Sequence, residues 1–443
     1  MFGYYLNLAL RSLQRTPALT VLMILAIGVG IGASMTTLAI FRTAAGDPIP
    51  AKSAQLFAPQ IDICGANCNR RNIRTDDGIP VHLTYRDVRA LMRLNAPGMQ
   101  AAMYSTGVTV TPPNPQLYPL QLEARATGAA FFSMFEVPFR YGAPWGRQED
   151  AAHAPVVVIS RALNDRLFGG TNSVGKTLRL NTEEYRIVGV IDTWQPVPRF
   201  YDLSPGGLNS GDVLFIPFTH AVDMQLPTNS GLGCYNPGPL TSLSSLQFSL
   251  ASECAWLQLW VELPTAAAVQ RYRQLLTAYA AEQHSTGRFR STPRVRLRDV
   301  KQWLDYNHVV PPEVRVAVIV AFALLIACLA NAMGIITARF LPRTGDVSVR
   351  RATGATRTAI FLQSLVEVAL IGVFGSLLGL MLAGLGQQVS RLLLPVNELE
   401  LVRFDGADVA IAVALSIMTA ILAGLYPTWR MSRVQPALQL KVQ

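Results

Sequence analysis

Charge is what this sequence of 443 residues has least of. Only 15% of it is Asp, Glu, Lys or Arg, where a soluble globular chain carries about 25%. The deficit sits in four nearly uncharged stretches, which excludes an all-soluble protein and leaves a membrane protein with a sizeable soluble part. Acid is scarcer than base, 28 residues against 38. Yet no run of five to eight Lys or Arg occurs, so no nucleic-acid partner is expected. His82, His153, His220, His284 and His308 are scattered without an H-E-x-x-H, and no G-x-S-x-G is present. A zinc-protease helix and a serine-hydrolase elbow are thereby removed. Neither a catalytic set, a metal nor a cofactor is expected.

The four apolar stretches run from Ala18 to Phe41, Val316 to Ala338, Ala359 to Gly386 and Val409 to Tyr426. About 20 such residues cross a bilayer core. A signal peptide would have a shorter apolar region, about 7–15 residues, so the first stretch reads as a retained anchor. The leader before it places Tyr4, Leu8, Arg11, Ser12 and Arg15 on the polar side of a helix, which suits a helix lying on the cytoplasmic surface. Arginines set the orientation. Arg11 and Arg15 precede the first span, Arg339, Arg343, Arg350, Arg351 and Arg357 face Asp346 alone between spans two and three, and Arg430, Arg433 and Lys441 follow span four. The loop between spans three and four has Arg391 and Arg403 against Glu398, Glu400 and Asp405. Positive charge stays inside, so both termini are expected in the cytoplasm. The division expected is 1–45 for leader and first span, 46–313 for an external domain, 314–430 for spans two to four with a cytoplasmic loop at 339–357, and 431–443 for a tail.

The external segment mixes helix and strand signals. Leu83–Leu94 reads as an amphipathic helix capped by Thr84, Pro155–Ser160 as a buried strand, and Arg161–Phe168 as a short helix. Lys176–Ile191 reads as a hairpin turning at Asn181 and Thr182. Asp212–Pro217 and Trp256–Leu263 read as strands, Ala266–Gln283 as a helix, and Met224–Ser245 as loop. Together these predict a membrane α-helical protein with four transmembrane helices and a large, two-lobed α+β extracytoplasmic domain. Cys64, Cys68, Cys234 and Cys254 all fall outside, an even number on an oxidising side. Their spacing favours Cys64 with Cys68 and Cys234 with Cys254; zinc ligation and free thiols are the alternatives.

Gly170–Thr177, GTNSVGKT, matches the phosphate-binding pattern G-x-x-x-x-G-K-[ST]. That pattern needs a strand before it and a helix after it, because the helix N-terminus holds the phosphates. Here a helix pattern precedes and a strand pattern follows, so the glycines are expected to shape turns.

The segment RFLPRTGDVSVRRATGATRTAIFLQSLVEVAL, Arg339–Leu370, carries a resemblance. It is similar to the MacB/FtsX-type ABC permease family, which shows an acid, apolar residues, Arg–Arg–Ala–x–Gly–Ala and then a span with an early Glu. Asp346, Val347, Val349, Arg350, Arg351, Ala352, Gly354, Ala355, Thr356, Arg357 and Glu367 occupy those positions. AGLYPTWRMSRVQPALQLK near the C-terminus, ATGAAFFSMFEVPFRYG and ISRALNDRLFGGTNSVGKTLRL resemble other parts of the family. Asp346 stands where Glu is usual, and Ser348 where a small or apolar residue is usual.

The resemblance implies a non-catalytic permease in a bacterial inner membrane, with the ATPase a separate chain. It implies a dimer with itself or a homologous permease, and a periplasmic adaptor and outer-membrane duct as partners. Export is the function it implies first; regulation of a cell-wall hydrolase or lipoprotein extraction are the alternatives. Asp346, Arg350, Arg351, Gly354, Ala355, Thr356 and Arg357 would then couple to the ATPase through charge-assisted hydrogen bonds, or the arginines would anchor the loop on anionic membrane lipid. An intramembrane carboxylate such as Glu367 faces a partner or a cavity. Gly28–Gly32 and Gly375–Gly379 are small-x-x-x-small patterns that permit close helix packing, including between copies.

Overall fold

A computed structural model of the chain describes residues 2–63, 77–203, 211–229, 231–234, 245–289, 292–340, 347, 349, 353–393 and 406–432. Two compact units emerge, one of Met1–Ala45 with Val310–Gln443, the other of Gly46–Val309. The first unit opens with α1 (Phe2–Arg15) and α2 (Pro17–Ala45). Proline at the first position of α2 loses no internal hydrogen bond there and ends α1 two residues earlier.

In the second unit the described residues form β1 (Leu56–Ile61), β2 (Leu83–Thr84), α3 (Tyr85–Arg93), β3 (Gln100–Thr111), β4 (Leu120–Thr127), α4 (Ala130–Met134), β5 (Phe139–Gly142), α5 (Arg147–Ala151), β6 (Val156–Ser160), α6 (Arg161–Phe168), β7 (Thr177–Leu180) and β8 (Glu183–Ile191). There follow β9 (Leu214–Pro217), α7 (Phe218–Asp223), β10 (Gly233–Cys234), α8 (Ser245–Ala251), β11 (Cys254–Glu262), α9 (Ala266–Ser285), β12 (Val295–Asp299) and α10 (Val300–Tyr306). The strands join in one sheet, ordered β12-β1-β11-β3-β4-β9-β6-β8-β5, with β2 and β10 on β11 and β7 against β3 and β8. Pairs β4–β9 and β6–β8 are parallel, and the rest are antiparallel. Alternate residues of one strand enter different apolar clusters: Val157 and Ile159 pack with Tyr104 and Ile187, while Val156 and Val158 pack with Phe131 and Phe215. Both faces are therefore covered, and β6 (VVVIS) and β9 (LFIP) are apolar along nearly their whole length.

Side-chain caps start the helices as their sequences demand. Thr84, Ser160, Thr265 and Asp299 each accept from the backbone N–H three residues on. Arg125 on β4 holds the middle of the unit. It donates two bonds of 3.0 Å to Asp212 and one of 2.5 Å to Asp202, all three side chains being fully buried. Burial alone would lower its pKa, but the two carboxylates outweigh that and raise it. Within the stretch read as loop, β10 pairs with β11 and sets Cys234 opposite Cys254.

The first unit is completed by α11 (Pro312–Phe340), α12 (Arg357–Leu393) and α13 (Gly406–Ser432). With α2, these give four helices long and apolar enough to cross a membrane: Pro17–Ala45, Pro312–Arg339, Arg357–Gly386 and Val409–Trp429. The two small-x-x-x-small patterns meet each other inside this one chain. A Cβ at Gly28 would lie 2.8 Å from Leu378 Cδ2, one at Gly375 2.7 Å from Ile27 Cγ2, and one at Gly379 3.1 Å from the Gly28 carbonyl oxygen. The seam between α2 and α12 thus consumes both patterns, which the sequence left free for a contact between copies. Ser34 adds a bond of 3.1 Å to the Ala321 carbonyl and fastens α2 to α11.

Enlarging this seam is expected to cost about 1–3 kcal/mol. Gly379→Leu should lower the midpoint of thermal unfolding in detergent, whereas Gly334→Ala, where a Cβ meets nothing within 4 Å, should leave it in place. Equal midpoints for the two variants would refute the seam.

Candidate functional site

Glu367 sits on α12 between the faces of other helices and is 4% exposed. Arg339, at the end of α11, is equally buried and brings Nη2 to 2.7 Å from Glu367 Oε1. The same Nη2 donates to the backbone carbonyl of Ser12 on α1 at 2.7 Å. Ser12 Oγ in turn donates to Glu367 Oε1 at 2.8 Å. One guanidinium, one carboxylate and one hydroxyl therefore close a triangle joining α1, α11 and α12. Apolar side chains of Leu13, Val347 and Ile360 belong to the cluster around it. Val347, which lies between α11 and α12 in sequence, is one of the cluster's buried members.

Separating a buried ion pair leaves a charge in low dielectric, which is costly. The end of α1, the end of α11 and an interior turn of α12 are consequently held together at this point. Thr20 extends the chain of contacts, donating to the carbonyls of Leu13 at 3.1 Å and Thr16 at 2.9 Å, which fixes the elbow between α1 and α2.

Of the other residues singled out in this loop, Gly354 has φ +103°, a conformation that suits glycine. Ala355 packs against the cluster around the triangle. Thr356 Oγ1 accepts from the Ala359 N–H at 3.2 Å, capping α12, whose first residue is Arg357. Asp346, Arg350 and Arg351 lie outside the described residues. Ser12, on the polar side of the leader helix by sequence, bonds to Glu367 in the structure. No local signal could have paired residues 355 positions apart.

Elsewhere, Cys234 and Cys254 form a disulfide between β10 and β11. Cys64 and Cys68 lie outside the described residues, and Cys328 is a buried free thiol on α11. The segment Gly170–Thr177 follows α6 and leads into β7, as its pattern predicts. Gly170 and Gly175 have φ +78° and +87°, and Lys176 Nζ lies 5.1 Å from the centre of the Phe168 ring. No helix N-terminus follows to receive a phosphate. Among the described residues no group of three or more His, Cys, Asp or Glu is placed to hold a metal.

A family profile described as MacB-like periplasmic core domain matches residues 20–279, and one described as FtsX-like permease C-terminal matches residues 318–436. The chain is 23% identical to "Macrolide export ATP-binding/permease protein MacB" of Syntrophobacter fumaroxidans, over 100% of this chain and 64% of that protein. It is 22% identical to the protein of the same name from Azoarcus sp., over 98% of this chain and 58% of the relative. With "Pyoverdine export ATP-binding/permease protein PvdT" of Pseudomonas savastanoi pv. phaseolicola it shares 25% identity over 70% of this chain and 41% of the relative. The chain thus spans 58–64% of the length of the two MacB relatives. Among solved structures, the periplasmic region of MacB from Actinobacillus actinomycetemcomitans aligns with a TM-score of 0.35 at 12% identity, covering 58% of this chain and 94% of that one. The extracellular domain of YknZ from Gram-positive bacteria aligns with a TM-score of 0.32 at 11% identity, covering 54% and 99%.

Breaking the triangle at its charged corners is expected to destabilise the helical unit far more than breaking it at the hydroxyl. Glu367→Ala strands Arg339 and should cost about 3–5 kcal/mol; Ser12→Ala removes one hydrogen bond and should cost about 1 kcal/mol. Thermal unfolding of the purified chain in detergent measures both. Equal, small losses would show that the pair does not hold the helices.

Proposed function

Since the chain belongs to the MacB-like, FtsX-like family of ABC transporter permeases, we propose that it is a permease subunit of an export system, transmitting the ATP-driven motion of a partner ATPase to its large α+β domain. The observation that carries this reading is the Ser12–Arg339–Glu367 triangle, which ties the end of α11, next in sequence to the arginine-rich segment, to α1 and α12. Hydrolysis belongs to the partner, and the chain itself contributes no reacting group. The arginine-rich end of the spans faces the cytoplasm and the Gly46–Val309 unit faces the other side of the inner membrane, by the positive-inside rule. Two permease copies, identical or homologous, ride on two ATPase subunits, and the α+β unit meets a periplasmic adaptor and an outer-membrane duct. The names of relatives that export macrolides and pyoverdine support export over the signalling and lipoprotein-sorting alternatives. Arg350, Arg351 and Arg357 supply the positive charge for the ATPase contact, with Asp346, Gly354, Ala355 and Thr356 shaping the loop that presents them.

Charge reversal tests the contact. Removing one side of a buried charge pair costs about 2–5 kcal/mol in an interface. Arg350→Glu with Arg351→Glu should abolish co-purification of the ATPase from native membranes and abolish transport, while the chain still inserts. Lipid anchoring alone predicts altered insertion with association intact. Wild-type co-purification and transport in the double variant would overturn the assignment.

A further inference from the structure

Strand β12 stands at one end of the sheet, paired with β1 alone among the described strands. Its register decides which backbone groups are free. The Asp62 N–H donates to the Arg294 carbonyl at 2.8 Å across from it. In an antiparallel pair, hydrogen-bonded and non-hydrogen-bonded positions alternate. Arg296 and Arg298 therefore exchange bonds with Gln60 and Ala58, and Val295 and Leu297 turn their N–H and C=O away from β1, where the Val295 carbonyl accepts from Arg296 Nη1 at 3.1 Å. Along this edge, which no other described strand pairs, runs an open recess of about 410 Å³, lined by Arg273, Val295, Arg296, Leu297, Arg298 and Gln302.

The recess carries more positive than negative charge. Arg298 is neutralised by Asp77 at 2.7 Å and Arg294 by Asp62 at 2.8 Å. Arg296 reaches Asp77 only at 3.8 Å and is half exposed. Arg273, exposed on α9, makes no ion pair among the described residues. Arginine on an edge strand also guards against indiscriminate pairing. A guard needs neither a recess beside the strand nor a second arginine reaching over it from a helix, and both are present here.

We propose that the free edge of β12 and this recess receive an extended, acidic segment of a partner protein as an added strand. Main-chain bonds to the Val295 N–H and to Leu297 would supply affinity, and acidic side chains on the two faces of the added strand would meet Arg273 on the side of α9 and Arg296 on the other. The reading is independent of the ATPase contact, which involves the other unit of the chain.

The test uses the full chain in phosphatidylcholine nanodiscs and a fluorescein-labelled peptide with Glu on both strand faces, Thr-Glu-Glu-Val-Glu-Glu-Thr, followed by fluorescence anisotropy. The acidic peptide should bind, and a peptide with Lys in place of Glu should not. Methylating the backbone nitrogens along one peptide edge keeps the charge but removes the strand's donors, and should weaken binding by at least about tenfold. Arg273→Glu with Arg296→Glu should weaken it similarly, as should the milder Arg273→Gln with Arg296→Gln, with thermal unfolding unchanged in the latter. Undiminished binding of the methylated peptide, which would mean attraction by charge alone, overturns the proposal. So does equal binding of the Lys peptide, insensitivity to both double variants, or no binding of the acidic peptide at about 1 mM.

Discussion

An ionised side chain inside an apolar helix bundle must have a counter-charge within hydrogen-bond reach. Arg339 and Glu367 meet that requirement for each other, and the helical unit is organised around the result. The pair is more than a local solution, because Arg339 also binds the end of α1 and the Ser12 hydroxyl donates a hydrogen bond to the same carboxylate oxygen. Three segments far apart in sequence are thereby held at one point. Farther along the helices, hydrocarbon offers no such polar anchors, and close packing of glycines takes over between α2 and α12. The unit is pinned electrostatically at one end and sterically along its middle.

The α+β unit solves a related problem with different means. Its fully buried Arg125 is neutralised by Asp202 and Asp212, and Tyr201 adds a bond of 2.9 Å to Asp212. Around that centre, Phe131, Phe135, Phe200 and Trp260 pack edge to face, an arrangement aromatic rings favour. A second tie, Arg288 to Asp87 at 2.5 Å and to Glu253 at 2.6 Å, joins α3 to the start of β11 and the end of α9. Ion pairs thus register the elements, while apolar burial on both sheet faces supplies most of the stability.

Much of this was legible in the sequence wherever the signal is local. The spans stand out by composition alone. Helix α3 is announced by Thr84, α6 by Ser160, and the β7–β8 hairpin by alternation on either side of Asn181, whose φ is +51°. Strands β1, β3 and β4 escaped. All of β1 and the first half of β3 are buried on both faces, so the period-two alternation that marks a half-buried strand is missing. Pro59 adds a strand-breaking signal to β1, tolerated near the edge of the sheet. Of the candidate site, Glu367 and the loop glycine could be singled out by residue type and place. The partnership of Glu367 with Arg339 and Ser12 could not, because it exists only after the helices pack.

The account stands on the charge pair between Arg339 and Glu367, and exchanging the two charges tests it most directly. Thermal unfolding would be measured for Arg339→Glu, for Glu367→Arg and for both together in the full chain. Each single reversal sets like charges side by side in an apolar setting and should unfold the helical unit at a much lower temperature. The double reversal restores an ion pair and should recover at least half of the loss. A double variant as unstable as the sum of the two singles would contradict the account.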